Sequence, residues 1–373
     1  MSSRLLKAID KRIAKTRDPI ENACLRAERA ALLARQGVLD EARAELRRIH
    51  AQFDSRPNAR VSAWTSLAEG LVIYFDNLAA NARDKLLRSL ALAAAIGDEH
   101  VEALSAAWLA QMDFAALDLE SLVKHLPIAL TKAAPSHHSA RSRAALVAAE
   151  AYHWAERLDL ALPWYTLVRH HASAEGDEPT LSALMHNMTW MRAAEARRRS
   201  VAEPTDAASA RQTQMGADSI GTFDELIGML ALRPLVPILQ AQALMLNRRH
   251  AEALDAFEQQ LPASLQHGLG RMACVIFADM ALCRVKTGDP SGARADIARA
   301  LESITTSTQV DDLAITHSRL AEVYELLEDL SEATKHSDLA RSAWHASRSK
   351  QEFLVAALRR ALEGLRDGLN NSS

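Results

Sequence analysis

Helix breakers are scarce. With 13 glycines and 11 prolines in 373 residues, the chain cannot be a collagen-like or Gly/Pro-rich low-complexity sequence, and no stretch of useful length alternates apolar and polar as a strand would. Cysteine is nearly absent. Cys24, Cys274 and Cys283 are odd in number and form no CxxC, which excludes a disulfide framework and a Cys-pair metal site. They read as buried thiols behaving as small hydrophobes, in a reducing compartment. Neither charge sign dominates: the net charge of −3 offers no broad basic field for nucleic acid. No window approaches the ~18 apolar residues of a membrane span, and the charged start of the chain lacks a signal-length apolar core. The expectation is a soluble, cytoplasmic protein with no nucleic-acid or membrane partner.

Catalytic signatures are missing too. There is no HExxH, Walker loop, GxSxG or GxGxxG. His137–His138 and His170–His171 are adjacent pairs whose side chains point about 100° apart on a helix, so they read as surface or capping residues, not metal clamps. Asp311–Asp312 reads as favourable charge at a helix start. No catalytic residue, cofactor or metal is expected, and the chain is read as a non-enzyme.

What is present is a repeat. An Ala-rich stretch is followed by a tight break, then Ala, a large residue four positions on and a small or apolar one three further. Ala42, Leu46 and Ile49 show it, as do Ala161, Tyr165 and Val168. Ala253 and Phe257, then Ala293, Ile297 and Ala300, then Ala333, Ser337 and Ala340 repeat it. A unit returning at roughly 35–40 residues predicts stacked helical hairpins, each buried against its neighbours. About eight fit, over 19–54, 58–96, 99–133, 141–174, 179–199 and onward, to 266, 269–305 and 311–346.

Residues 3–17 form a basic amphipathic helix around Leu5, Leu6, Ile9 and Ile13, read as an N-terminal cap. A closing helix carries Phe353, Leu354, Leu358 and Leu362 on one face, and Arg359, Arg360, Glu363 and Arg366 on the other. Regularity falters over 200–223, read as a shortened second helix of the fifth hairpin plus a loop, giving three expected segments: repeats with their cap over 1–199, an irregular insertion or hinge over 200–223, and repeats with the closing helix over 224–373. The Arg197–Arg199 run reads as a solvated helix end.

These positions resemble the tetratricopeptide repeat (TPR). Leu320, Ala321, Tyr324, Ala333 and Ala340 match its small and large helix-contact positions, as do Ala149, Tyr152, Ala161, Tyr165 and Val168. Arg284 and Arg29 depart from it at large apolar positions. The slightly long period is similar to repeats of bacterial signal-transduction proteins. The resemblance implies an all-α solenoid whose first helices line a groove that binds a peptide or protein segment. Aligned on the breaks, the groove-facing candidates are Arg143, Glu150, His153, Trp154, His186, Asn187, Trp190, Asp279, Lys286 and Arg319. Trp154 and Trp190 are either groove anchors or packing between hairpins. The basic companions that a carboxylate clamp places after Asn187 are missing. The implied function is a non-catalytic adaptor. The alternative is a ligand- or peptide-responsive module acting on a separate output protein, with 200–223 as its hinge. That segment could also cover the groove or pair two subunits in a homodimer.

Overall fold

A computed structural model describes residues 3–77, 81–202, 207–266, 268–363 and 365. Among these residues there are α-helices and two short 3-10 turns but no strand. The fold is an α-solenoid of TPR-like hairpins. A cap helix α1 (Arg4–Lys15) precedes eight pairs: α2 (Pro19–Gln36) with α3 (Leu39–Phe53), α4 (Ala59–Asn77) with α5 (Ala82–Ile96), α6 (Glu99–Ala115) with α7 (Leu119–Lys132), α8 (His138–Trp154) with α9 (Leu158–Glu175), α10 (Glu178–Ala202) with α11 (Ala207–Ile227), α12 (Val236–Leu246) with α13 (His250–Gln266), α14 (Ala273–Lys286) with α15 (Pro290–Glu302), and α16 (Val310–Leu326) with α17 (Leu330–Ala361). No helix of the described residues is long and apolar enough to cross a membrane.

The recurring break is one backbone device. A single residue in the left-handed region separates the two helices at Gly37, Leu117, Glu156, Arg248, Gly288 and Glu328. In each case the following N–H donates to the carbonyl five residues back. The bonds are Val38 to Leu33, Asp118 to Asp113, Arg157 to Tyr152, Asp289 to Arg284 and Asp329 to Tyr324 at 2.9 Å, and Arg249 to Leu244 at 3.0 Å. This Schellman closure satisfies carbonyls that the ending helix leaves open. Just beyond it, Ala42, Ala161, Ala253, Ala293 and Ala333 are all buried, which lets paired backbones approach. The large residues Leu46, Tyr165, Phe257 and Ile297 are buried beside them. In the last hairpin Ser337 is only half-buried, and the neighbouring His336 takes the inner place.

The two arginines that depart from the repeat pattern become ion-pair hubs. Arg29 reaches Asp10 at 2.7 Å and Glu45 at 3.8 Å, tying the cap helix to the first hairpin. Arg284 reaches Asp296 at 2.7 Å and Asp289 at 3.0 Å.

The chain divides into two compact units. Unit 1 comprises Met1–Leu184, Phe223–Leu232 and Phe353–Ser373; unit 2 comprises Met185–Thr222 and Arg233–Glu352. In unit 1, Leu5, Leu6 and Ile9 of α1 are buried in a core with Ala23, Leu33, Trp64, Leu71 and Trp108, so the first helix caps the stack with its apolar face. The return segment is held by Leu230 N–H donating to the Gln36 carbonyl at 2.9 Å. It crosses directly over Gly37, where a Cβ would lie 2.5 Å from the Ala231 nitrogen. In unit 2 the core gathers Ile238, Phe257, Ile276, Phe277, Leu320 and Val323.

Two regions differ from expectation. The segment expected to be irregular over 200–223 lies largely in helices: α10 runs to Ala202 and α11 covers Ala207–Ile227, with 203–206 outside the described residues. The inner stripe of α11 is Ala210, Thr213, Ala217, Ile220 and Asp224. Its spacing is helical, but small and polar side chains hide the periodicity. The two units change over at Leu184/Met185, Thr222/Phe223, Leu232/Arg233 and Glu352/Phe353. The closing helix is continuous with the second helix of the last hairpin in one 32-residue α17. Leu354, Leu358 and Leu362 are buried, whereas Phe353 is half-exposed. Arg366 and the terminal residues 366–373 lie outside the described residues.

Candidate binding site

In unit 1 the first helices converge on a buried polar cluster. Arg143, near the start of α8, is 5% exposed. Its guanidinium carbon lies 4.0 Å from the centre of the Trp108 ring on α6, and it donates to the Gln111 carbonyl oxygen at 3.4 Å. The Gln111 amide in turn donates to Glu150, two turns further along the same face of α8, at 3.4 Å. Tyr74 and Phe75 of α4, both half-buried, meet Trp108 edge-on at 6.2 and 5.7 Å. On the other flank Arg35 lies 5.8 Å from the same ring. It donates to the Asp177 carboxylate at 2.6 and 2.7 Å and to Thr180 Oγ1 at 2.6 Å.

Asp177 also caps α10 by accepting from the Thr180 N–H at 3.1 Å. Burial pushes its carboxyl up, but Arg35 and the Thr180 bonds outweigh it and hold the group below the usual carboxylate range. Arg143 is different. Burial, with Arg35 adding, pulls it down to about 10. Among the described residues no carboxylate forms an ion pair with it, although Glu150 and Asp177 attract it from a distance, and its Nε, like those of Arg35 and Arg197, is buried without a partner. At the end of α8, His153 Nδ1 lies 2.9 Å from the Tyr165 hydroxyl, and Trp154 is buried beside it.

Unit 2 holds a second buried charge cluster, and there the charges close on one another. Asp279 on α14, fully buried, accepts from Arg197 of α10 at 3.0 Å and from Arg319 of α16 at 3.3 Å. Arg319 continues to Glu322 at 2.5 Å and to Ser200 Oγ at 3.3 Å. Charge-assisted bonds of this kind hold a buried ion only when the partners are complete.

The expected site residues thus fall into separate groups. Arg143 and Glu150 are joined through Gln111; His153 and Trp154 sit a turn further on; Asp279 and Arg319 are joined directly. On α10, His186 is buried and Asn187 half-buried. Trp190 packs against Ile220, Val236 and Leu239. Lys286 stands exposed at the end of α14, outside the Asp279 network.

Sequence reasoning missed Arg35, Gln111, Asp177 and Arg197. The run at Arg197–Arg199 is not uniformly solvated: Arg197 is 1% exposed, whereas Arg199 is exposed. Its place one turn beyond the buried Ala193 marks the inner stripe of α10 and could have flagged it.

Of the histidine pairs read as surface or capping residues, His137 stands, buried, at the N-cap position of α8 and His170 at the surface, while His171 is buried. His137 stacks on His100 at 3.6 Å and lies within hydrogen-bond distance of the His100 carbonyl. His138 and His171 meet Nδ1 to Nδ1 at 3.0 Å across the α8–α9 hairpin, and His317 meets His336 in the same way across α16–α17. Among the described residues no group of three His, Cys, Asp or Glu is placed to hold a metal ion.

No family model and no curated protein matches the chain. Solved structures do. The chain resembles the crystal structure of Rap protein complexed with competence and sporulation factor at TM-score 0.55 and 12% identity, with 95% of this chain and 100% of that one covered. At that identity the likeness concerns the fold: a TPR-like helical repeat.

Proposed function

We propose that this chain is a non-catalytic, cytoplasmic peptide-binding module of the kind found in bacterial signal transduction, acting on a separate protein. The observation that carries the reading is the buried polar cluster of Arg143, Gln111, Glu150 and Trp108 on first helices. Stacked hairpins need only apolar residues to pack, so polar groups retained there ask for another role. The fold neighbour was solved with a factor bound, competence and sporulation factor, which supports a peptide as the ligand class and favours the ligand-responsive reading over a static adaptor. Asn187 and Trp190 are proposed to contact the same class of ligand from α10.

A panel of short linear peptides titrated against the protein by fluorescence anisotropy tests this. Binding of at least one peptide, lost in the Asn187→Ala/Trp190→Ala double variant while the helical spectrum is kept, is the expected result. Failure of the whole panel, together with no reproducible capture of a protein partner, would sink the reading. A double variant that binds as the parent does would remove Asn187 and Trp190 from it.

A further inference from the structure

Every buried guanidinium in the two clusters but one has a carboxylate in hand. Arg35 has Asp177, and Arg197 and Arg319 share Asp279. Arg143 has only a ring face and one long bond to a neutral amide; its buried Nε lacks a partner, as do those of Arg35 and Arg197, so what sets it apart is the missing carboxylate contact. A buried charge with no carboxylate in contact is costly for a fold to keep, and Glu150 and Asp177, attracting Arg143 from a distance, offset only part of its burial. A protein that needed only packing here would place Met or Leu at this position.

Resting on the peptide-binding reading above, we propose that Arg143 is an anion site whose missing partner is a carboxylate supplied by the bound peptide. Trp108 would hold the guanidinium plane from one side, and Gln111 would fix its rotation while screening it from Glu150. The planar fork of arginine suits a two-oxygen acceptor. The half-buried Tyr74 and Phe75 form the more exposed edge of the cluster and would flank the entering group with aromatic surface. An acidic side chain and a free C-terminus present the same chemistry, and the test separates them.

Three tripeptide probes suffice. The first is acetylated and amidated triglutamate, with side-chain carboxylates only. The second is acetylated triglutamine with a free C-terminus. The third is acetylated, amidated triglutamine, with no charge. Each is titrated against the full chain by calorimetry at low salt. One or both charged probes should bind at least tenfold tighter than the neutral one, and whichever does identifies the carboxylate source. Arg143→Met should abolish that preference without lowering the melting temperature of the ligand-free protein, and Arg143→Lys should keep part of it. Equal binding of all three probes overturns the anion site and leaves peptide binding standing. No response to any probe also overturns it, and the wider peptide panel then decides the parent reading separately. Should Arg143→Met melt early, the contrast among probes on the parent protein still decides.

Discussion

The two units solve one problem differently. Each brings arginines from helices far apart in sequence into a dry interior. In unit 2, Asp279 lies between Arg197 and Arg319, and Glu322 and Ser200 take up further donors. In unit 1, Asp177 and Thr180 engage one end of Arg35, and Arg143, with no carboxylate in contact, is left with a π face and an amide. A closed network is a structural element, since removing any member strands the others. An open one is a place where something else can complete the charge balance. The contrast therefore separates residues that hold the fold from a residue available for binding.

The sharpest way to break this comparison is to remove one centre from each cluster. Asp279→Ala strands two buried guanidinium groups and should destabilise the protein by about 3–5 kcal/mol in urea unfolding. Arg143→Met should leave stability within about 1 kcal/mol of the parent, because lost cation–π contact and relief of an unpaired charge offset each other. If the two variants lost stability equally, the unit 1 cluster would be as structural as the other.

Acid comes next in size, and here both units should respond in the same direction. Each has an imidazole pair meeting Nδ1 to Nδ1 across a hairpin, to which unit 1 adds the stacked His100–His137 pair. Burial, with the partner ring adding, pulls His171 down to about 4 from its ordinary 6.5, and His317 likewise to about 4. A histidine whose folded value is depressed favours the neutral form. Its stabilising contribution is complete above the unfolded value and is lost as pH falls from about 6.5 toward 4, because the unfolded chain binds the proton first. A second proton on either pair would also set two N–H groups against each other across 3.0 Å. The melting temperature should drop by several degrees between pH 7 and pH 5. His171→Asn and His336→Asn should each flatten part of that drop. A melting curve independent of pH over this range would refute the account.

Local chemistry made the fold legible. The small residues after each break and the glycines at two of the turns act within one or two helical turns, so spacing alone reveals them. Neither charge cluster could be read that way. Arg35 and Asp177 are 142 positions apart, and Arg197 and Asp279 are 82 apart. Such pairs are set by how hairpins stack, not by any period along a helix. Of the expected groove residues, Arg143, Glu150, Asp279 and Arg319 do lie within buried polar clusters, because the repeat alignment picks residues on buried helix faces. Lys286 does not, since it falls at the exposed last turn of α14. The α11 helix was obscured for a different reason: its buried stripe is built of Ala, Thr and Asp, which hydropathy reads as loop.

The smallest predicted effects test whether the repeat's break is one device throughout. At Gly37 and Gly288 the left-handed residue is glycine, which adopts that region freely. At Leu117, Glu156, Arg248 and Glu328 it carries a side chain at the same place in the same hydrogen-bonded turn, and that conformation costs about 1 kcal/mol for an ordinary residue. Leu117→Gly and Glu328→Gly should therefore stabilise the protein by about 0.5–1 kcal/mol each, even though both delete contacts. Gly37→Ala should do the reverse and by more, since it adds the left-handed strain to a Cβ pressed against the backbone of the return segment. If the two glycine substitutions destabilised, the side chains at those turns would be making contacts that outweigh the backbone strain, and the breaks would not be equivalent.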